Sequence, residues 1–146
     1  MFKKETEYAL RGLIYIQSQN SAGRRPGITE IADEIGAPHF YTAKIMQRLA
    51  KQGYVESTKG KGGGFSFNAR LPDLSLKTII NAIEGDHIFT GCGIGLKECS
   101  AENPCPIHDQ FAPIRDSIDK LVSQETIQSL AEKISTGEET VINRLK

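Results

Sequence analysis

The chain has 146 residues, and its 18 Lys and Arg are matched by 18 Asp and Glu, so the formal net charge is zero. That length supports one compact domain, or a small domain with an appended arm. Hydrophobic residues at 38% and charged residues at 25% are ordinary for a globular chain and exclude an acidic disordered tail or a uniformly basic coat. No apolar run approaches the ~18–20 residues that cross a bilayer. The amphipathic start Met1-Phe2-Lys3-Lys4-Glu5 does not read as a signal peptide, so a cytoplasmic protein with no membrane partner is expected.

The neutral total hides two unlike halves. Residues 1–70 carry eleven basic and six acidic side chains, and the remainder seven and twelve. Positive charge is densest over 38–70, where six basic residues face only Glu56. Such polarity points to one half that meets a polyanion.

From Glu5 to Gln19 the residues Ala9, Leu10, Leu13, Ile14 and Ile16 recur at helical intervals, predicting an amphipathic first helix. Asn20 to Gly27 is a loop of turn formers. Thr29 is expected to cap a short helix, Glu30 to Ile35, that Gly36 ends. After Gly36-Ala37-Pro38 a second helix runs to Gln52, with Phe40, Ala43, Ile45, Met46 and Leu49 expected inward. Its outer face would carry His39, Tyr41, Thr42, Lys44, Gln47, Arg48 and Lys51. Tyr54–Thr58 and Phe65–Asn68 read as strands around the flexible tip KGKGGG, making a β-hairpin.

Short helix, three-residue turn, longer basic helix and hairpin together describe a winged helix-turn-helix. The fold class expected is therefore mainly α with a small β-hairpin, followed by a long dimerisation helix. A helix of this length fits the ~12 Å major groove. His39, Tyr41, Thr42, Lys44, Arg48 and Lys51 are the candidate DNA contacts on that helix, and Lys59 and Lys61 those on the wing. On this reading Arg48→Ala should weaken operator binding strongly. The glycines do not form a phosphate loop, because GxxxxGK followed by Ser or Thr is absent.

Leu74, Leu76, Ile79, Ile80 and Ile83 predict another short helix, closed by Gly85. A loop rich in glycine, proline and cysteine then spans about Asp86 to Pro106. From Ile107 to Gln124 the stripe Ile107, Phe111, Ile114, Ile118, Leu121 and Val122 predicts a long helix. It is expected to pack against the first helix of a second subunit, as DNA-binding dimers require. Ile127 to Ile134 suggests a final helix, and the tail from Ser135 is expected to be loosely ordered. The expected organisation is a DNA-binding domain over 1–84, a cysteine-rich loop over 85–106 and a dimerisation helix with tail over 107–146.

All three cysteines fall in the pattern Cys92-x6-Cys99-x5-Cys105-x2-His108. An odd number argues against a secreted disulfide framework. Structural zinc sites usually contain a close C-x2–4-C pair, and these first spacings are wider. Thiolates are also the ligands of iron–sulphur clusters, where histidine can replace one of them. A Cys3His zinc site and a metal-free thiol switch remain open. A Cys105/His108 nucleophile has no third orienting group, so the chain is not expected to be an enzyme.

The segments TEYALRGLIYI, GAPHFYTAKIMQRLAKQGYVESTKGKGGGFSF and CPIHDQF resemble the Rrf2 family of winged-helix transcription regulators, over Thr6 to about Ile134. The resemblance implies a cytoplasmic homodimer that binds pseudo-palindromic promoter DNA, and a repressor is expected. It further implies an iron–sulphur cluster on Cys92, Cys99 and Cys105, with His108 matching the histidine that completes a 2Fe–2S site in some members. Glu7 matches an acidic ligand that other members offer from the second subunit. A 2Fe–2S centre is favoured over 4Fe–4S, and aerobic preparation is expected to oxidise and release it. The alternative is a cluster-free regulator that senses thiol oxidation or a small metabolite.

Overall fold

A computed structural model describes residues 1–136 and 145–146. Helix α1 (Lys4–Ser21) buries Thr6, Ala9, Gly12, Leu13, Ile14 and Ile16 on one side. Helices α2 (Ile28–Ile35) and α3 (His39–Lys51) pack on it and on each other. Ile31, Ile35, Ile45, Met46 and Leu49 meet Leu13 and Ile16 in a core from which water is excluded.

The turn between α2 and α3 is set by Gly36, whose φ of 65° lies in the left-handed region that a side chain disfavours. Its amide and that of Ala37 donate back to Asp33 and Ala32, closing the helix end. The expected Thr29 cap is corrected: α2 starts one residue before it, with Gly27 at the cap position and no side-chain bond. The α2 amides at this end are instead supported by the backbone, Ile31 donating to the Gly27 carbonyl.

Strands β1 (Glu56–Thr58) and β2 (Gly64–Ser66) pair antiparallel with Ser57 opposite Phe65. The hairpin is shorter than its sequence suggests. Tyr54 and Val55 leave the strand to pack on the core, as Phe67 does just past the end of β2. The Phe67 amide donates to the Asn20 side chain and that of Phe65 to the Pro26 carbonyl, so the wing is anchored to the end of α1.

Helix α4 (Leu76–Glu84) is capped by Ser75, whose hydroxyl accepts the Thr78 amide. Helix α5 (His87–Thr90) is a short turn inside what sequence reads as pure loop, held by buried Phe89. Helix α6 (His108–Gln124) lies against α4 and α5, yet Val122 is its one fully buried residue among those described. Ile114 and Leu121 are 58% and 57% exposed. The last described helix, α7 (Ile127–Thr136), returns to lie along α1. Thr126 and Ser129 cap its start reciprocally, side chain to amide. The Leu76 amide donates to Glu125 and that of Ile127 to Leu74, which ties the start of α4 to the start of α7. Ser135 and Thr136, expected in a loose tail, are the end of α7, and positions 137–144 of that tail lie outside the described residues. No helix among the described residues is long and apolar enough to cross a membrane.

Candidate nucleic-acid interface and thiol cluster

Helix α3 separates cleanly into two faces. Thr42, Ile45, Met46 and Leu49 are buried, whereas Phe40, Lys44, Gln47 and Lys51 form an exposed stripe on the opposite side. Two assignments are thereby corrected. Phe40, expected inward, is 69% exposed, and Thr42, expected outward, is fully buried. The Thr42 hydroxyl donates to the Pro38 carbonyl 3.0 Å away, which satisfies it in the core and removes it from any groove. Ala43 is half-buried at the edge between the faces.

His39, Tyr41, Lys44 and Lys51 are exposed on α3, as are Lys59 and Lys61 at the wing tip. His39 Nε2 is paired with Asp33 at 2.7 Å, which fixes the imidazole at the start of α3. The Lys44 ammonium lies 4.8 Å from the centroid of the Phe40 ring. Arg48 differs from its neighbours. Its guanidinium donates to the Ala82 carbonyl at 2.7 Å and approaches Glu5 at 3.5 Å, so it braces α3 against α4 and α1.

The second cluster sits on the loop between α5 and α6. The Sγ atoms of Cys92, Cys99 and Cys105 all lie within 4.8 Å of one another. Cys92 and Cys105 are 3.6 Å apart, and His108 Nδ1 is 3.3 Å from Cys99 Sγ. The thiols are free. Local backbone bonds shape this loop: Gly95 donates to Cys92, Ser100 and Asn103 exchange amide bonds, and His108 donates to the Cys105 carbonyl. The Asn103 side chain donates to the Glu98 carbonyl. Gly93 lies against α6, where a Cβ would meet Ile107 and the Phe111 ring at 3.0 Å.

Electrostatics distinguish the thiols. Backbone amides of Ile94 and Leu96 donate to the Cys92 sulphur and, against some burial, hold its pKa down at about 7. At Cys99 the Cys105 amide acts in the same direction, but burial and the neighbouring Cys105 and Cys92 thiols outweigh it and push the thiol up.

Three sulphurs are soft donors and an imidazole nitrogen a borderline one, a set suited to zinc or iron–sulphur centres and poorly suited to magnesium or calcium. A tetrahedral thiolate site with metal–sulphur bonds near 2.3 Å has sulphur–sulphur edges of about 3.8 Å. The Cys92–Cys105 separation is close to that length, and all three sulphurs lie within 4.8 Å of one another, so the thiols are placed to hold a metal group, with His108 beside Cys99. Glu7 lies in the first turn of α1 and is held by Lys4 at 3.1 Å. The Lys4 hydrogen bond and charge lower its pKa.

One feature of the loop has no signal in the sequence. Arg115 of α6 donates to the carbonyls of Thr90 and Gly91, at 3.4 and 3.1 Å. Its Nε is buried and has no hydrogen-bond acceptor among the described residues, with an Asp116 carboxylate oxygen 3.7 Å away.

A two-helix turn with an exposed basic second helix and a following wing defines a winged helix-turn-helix regulator. The family described as Rrf2, iron-dependent transcriptional regulator, matches residues 2–133. The chain belongs to the Rrf2 family, whose members bind DNA and typically act as dimers. It is 32% identical over 133 residues to a protein of Aquifex aeolicus named as an HTH-type transcriptional regulator, covering 89% of this chain and 90% of that one. It is 28% identical over 104 residues to the HTH-type transcriptional repressor NsrR of Streptomyces coelicolor, covering 71% and 66%. Among solved structures, CymR of B. subtilis superposes with a TM-score of 0.70 at 20% identity, over 90% of this chain and 96% of that one. IscR of T. potens superposes with the same TM-score of 0.70 at 19% identity, over 96% and 92%. These relatives are transcriptional regulators, and the two superpositions share the helical architecture and wing found here.

Proposed function

We propose that the protein is a homodimeric, non-enzymatic repressor whose affinity for promoter DNA is set by an iron–sulphur centre on Cys92, Cys99 and Cys105. Residues 1–84 read DNA, the loop 85–106 senses, and 107–146 dimerise. Convergence of three thiols within 4.8 Å is the observation that carries the reading. Iron, rather than zinc, is supported by the family's description as iron-dependent. Repression is supported by the likeness to a protein named as a repressor.

His108 is the preferred fourth ligand, because its Nδ1 already stands 3.3 Å from Cys99 Sγ. A histidine among the ligands favours 2Fe–2S over 4Fe–4S. Glu7 of the partner subunit is the second candidate. When bound, such a centre supplies a redox-active metal group whose oxidation or loss changes the charge held between the thiolates. The chain's own residues convert that change into movement. Gly93 abuts Phe111, and Arg115 grips the carbonyls ahead of Cys92, so displacement of the loop is felt along α6. The exposed Ile114 and Leu121 of α6 supply the apolar dimer surface.

Anaerobic purification with iron and acid-labile sulphide analysis tests the proposal. A coloured protein whose visible absorbance is lost in Cys99→Ala is expected. A colourless protein with stoichiometric zinc would overturn it. A second reading, a metal-free thiol switch in the cytoplasm, draws on the Cys92–Cys105 separation of 3.6 Å. It predicts an iron-free protein whose DNA affinity still responds to thiol oxidants.

A further inference from the structure

The outer stripe of α3 is polar with one exception. An α-helix advances about 100° per residue, so Phe40, Lys44, Gln47 and Lys51 share a line diametrically opposite buried Thr42, Ile45, Met46 and Leu49. Phe40 is the apolar member of that line, 69% exposed, with Tyr41 beside it at 52%. Its described contact on the outer face is the Lys44 ammonium, 4.8 Å from the ring centroid. A bare phenyl ring under a cation, on a helix that contains no Asp or Glu, is complementary to a surface that is at once anionic and locally apolar.

Duplex DNA has such a place in the major groove. Thymine presents a C5-methyl group there, the one apolar feature among the base edges, and a phenyl ring is among the side chains that recognise it. We propose that Phe40 is a specificity-determining residue that packs on a thymine methyl, with Lys44 satisfying the adjacent base edge or phosphate. The proposal rests on the DNA-binding reading above and adds a particular base to it. Arg48, braced on Ala82, takes no part in this contact.

The test selects binding sites for the full-length protein from a random-sequence duplex library, then replaces thymine by uracil one position at a time in the selected duplex. Uracil keeps every hydrogen-bonding group of thymine and lacks only the methyl. Burial of one such group corresponds to about a fourfold change in affinity. The wild type should lose about fourfold at one thymine in each half-site, and Phe40→Ala should be indifferent to the same replacement. Indifference of the wild type at every thymine, or an undiminished thymine preference in Phe40→Ala, would overturn the assignment. If the wild type enriches no sequence at all, the DNA-binding reading fails and the assignment with it. If Phe40→Ala is poorly folded, Phe40→Ser, which keeps a small polar residue at this exposed position, takes its place with the same two outcomes, and wild-type indifference at every thymine overturns the assignment without any variant.

Discussion

The guanidinium of Arg115 donates to the carbonyl oxygen of Gly91, the residue that immediately precedes Cys92, at 3.1 Å. A helix with an exposed apolar face is thus bonded directly to the mouth of the thiol loop. The bond also explains why a long cationic side chain is only 18% exposed on an otherwise wet helix. Residues that orient metal ligands without touching the metal commonly change metal affinity 10–100-fold. Arg115→Ala should therefore release iron to a chelator at least tenfold faster than wild type, and Arg115→Lys should recover part of the loss. Equal release rates for all three proteins would show that the clamp is incidental.

Arg48 and Lys51 lie three residues apart on the same helix but should behave differently. Lys51 is exposed in the last turn of α3, so Lys51→Ala should reduce the salt dependence of DNA binding by about 0.9 log units per log salt. Arg48→Ala, expected from sequence alone to weaken operator binding strongly, should on this geometry act through the fold instead: it should leave that slope unchanged and lower folding stability by about 1 kcal/mol, through loss of the bond to Ala82. Affinity measured across a salt series, alongside denaturant unfolding, separates the two outcomes.

Tyr15 joins α1 to α2 by donating to Glu30 Oε1 at 2.7 Å, with Arg24 on the same carboxylate at 2.9 Å. The Tyr15 hydroxyl, followed by Arg24 and against some burial, lowers the Glu30 pKa. Burial, then the Glu30 bond and charge, raises that of Tyr15 to about 12. A lowered carboxylate favours the folded chain above its ordinary pKa of 4.5 and loses that contribution as pH falls through the lower folded value. A raised phenol contributes fully below its ordinary value of 10.0 and is lost as pH rises through about 12. Tyr15→Phe should therefore be less stable than wild type at neutral pH, by about 1 kcal/mol. The gap should narrow at both extremes. Thermal unfolding from about pH 2 to about pH 12 reads both limbs.

Ile114 and Leu121 project from α6 into solvent. Ile114→Glu and Leu121→Glu should leave the subunit folded, since neither side chain enters its core, yet shift the protein to monomer in sedimentation and weaken operator binding at least tenfold. Retention of the dimer by both variants would place the interface elsewhere.

The helix-turn-helix was legible in sequence because its signals are local: an apolar stripe, a glycine at the turn, a second stripe. Even there, hydrophobic type misled where angle decided. Phe40 is more apolar than Thr42, but Thr42 falls on the buried line and satisfies its hydroxyl on Pro38 one turn back. The cysteine spacing likewise announced a cluster. Nothing local could show that His108 would approach Cys99 rather than the nearer Cys105 in sequence, or that Arg115 would reach back to Gly91. The same holds for Arg48, whose partner carbonyl is 34 residues away. Long flexible cations choose their acceptors from the tertiary surroundings, which no periodicity encodes.

Helix α6 contains Pro113, five residues after His108. Proline has no amide hydrogen, so the carbonyl one turn earlier, that of Asp109, receives no helical bond from it. The opening turn that carries the imidazole is consequently coupled to the rest of α6 by one backbone bond fewer. Ser117 donates its hydroxyl to the Pro113 carbonyl and stiffens the downstream side of the same point. His108 therefore stands on one side of the missing bond, while Arg115, tied to Gly91 at the start of the thiol loop, stands on the other. The helix that carries the imidazole thus meets the thiol loop at two points, with its one missing backbone bond between them.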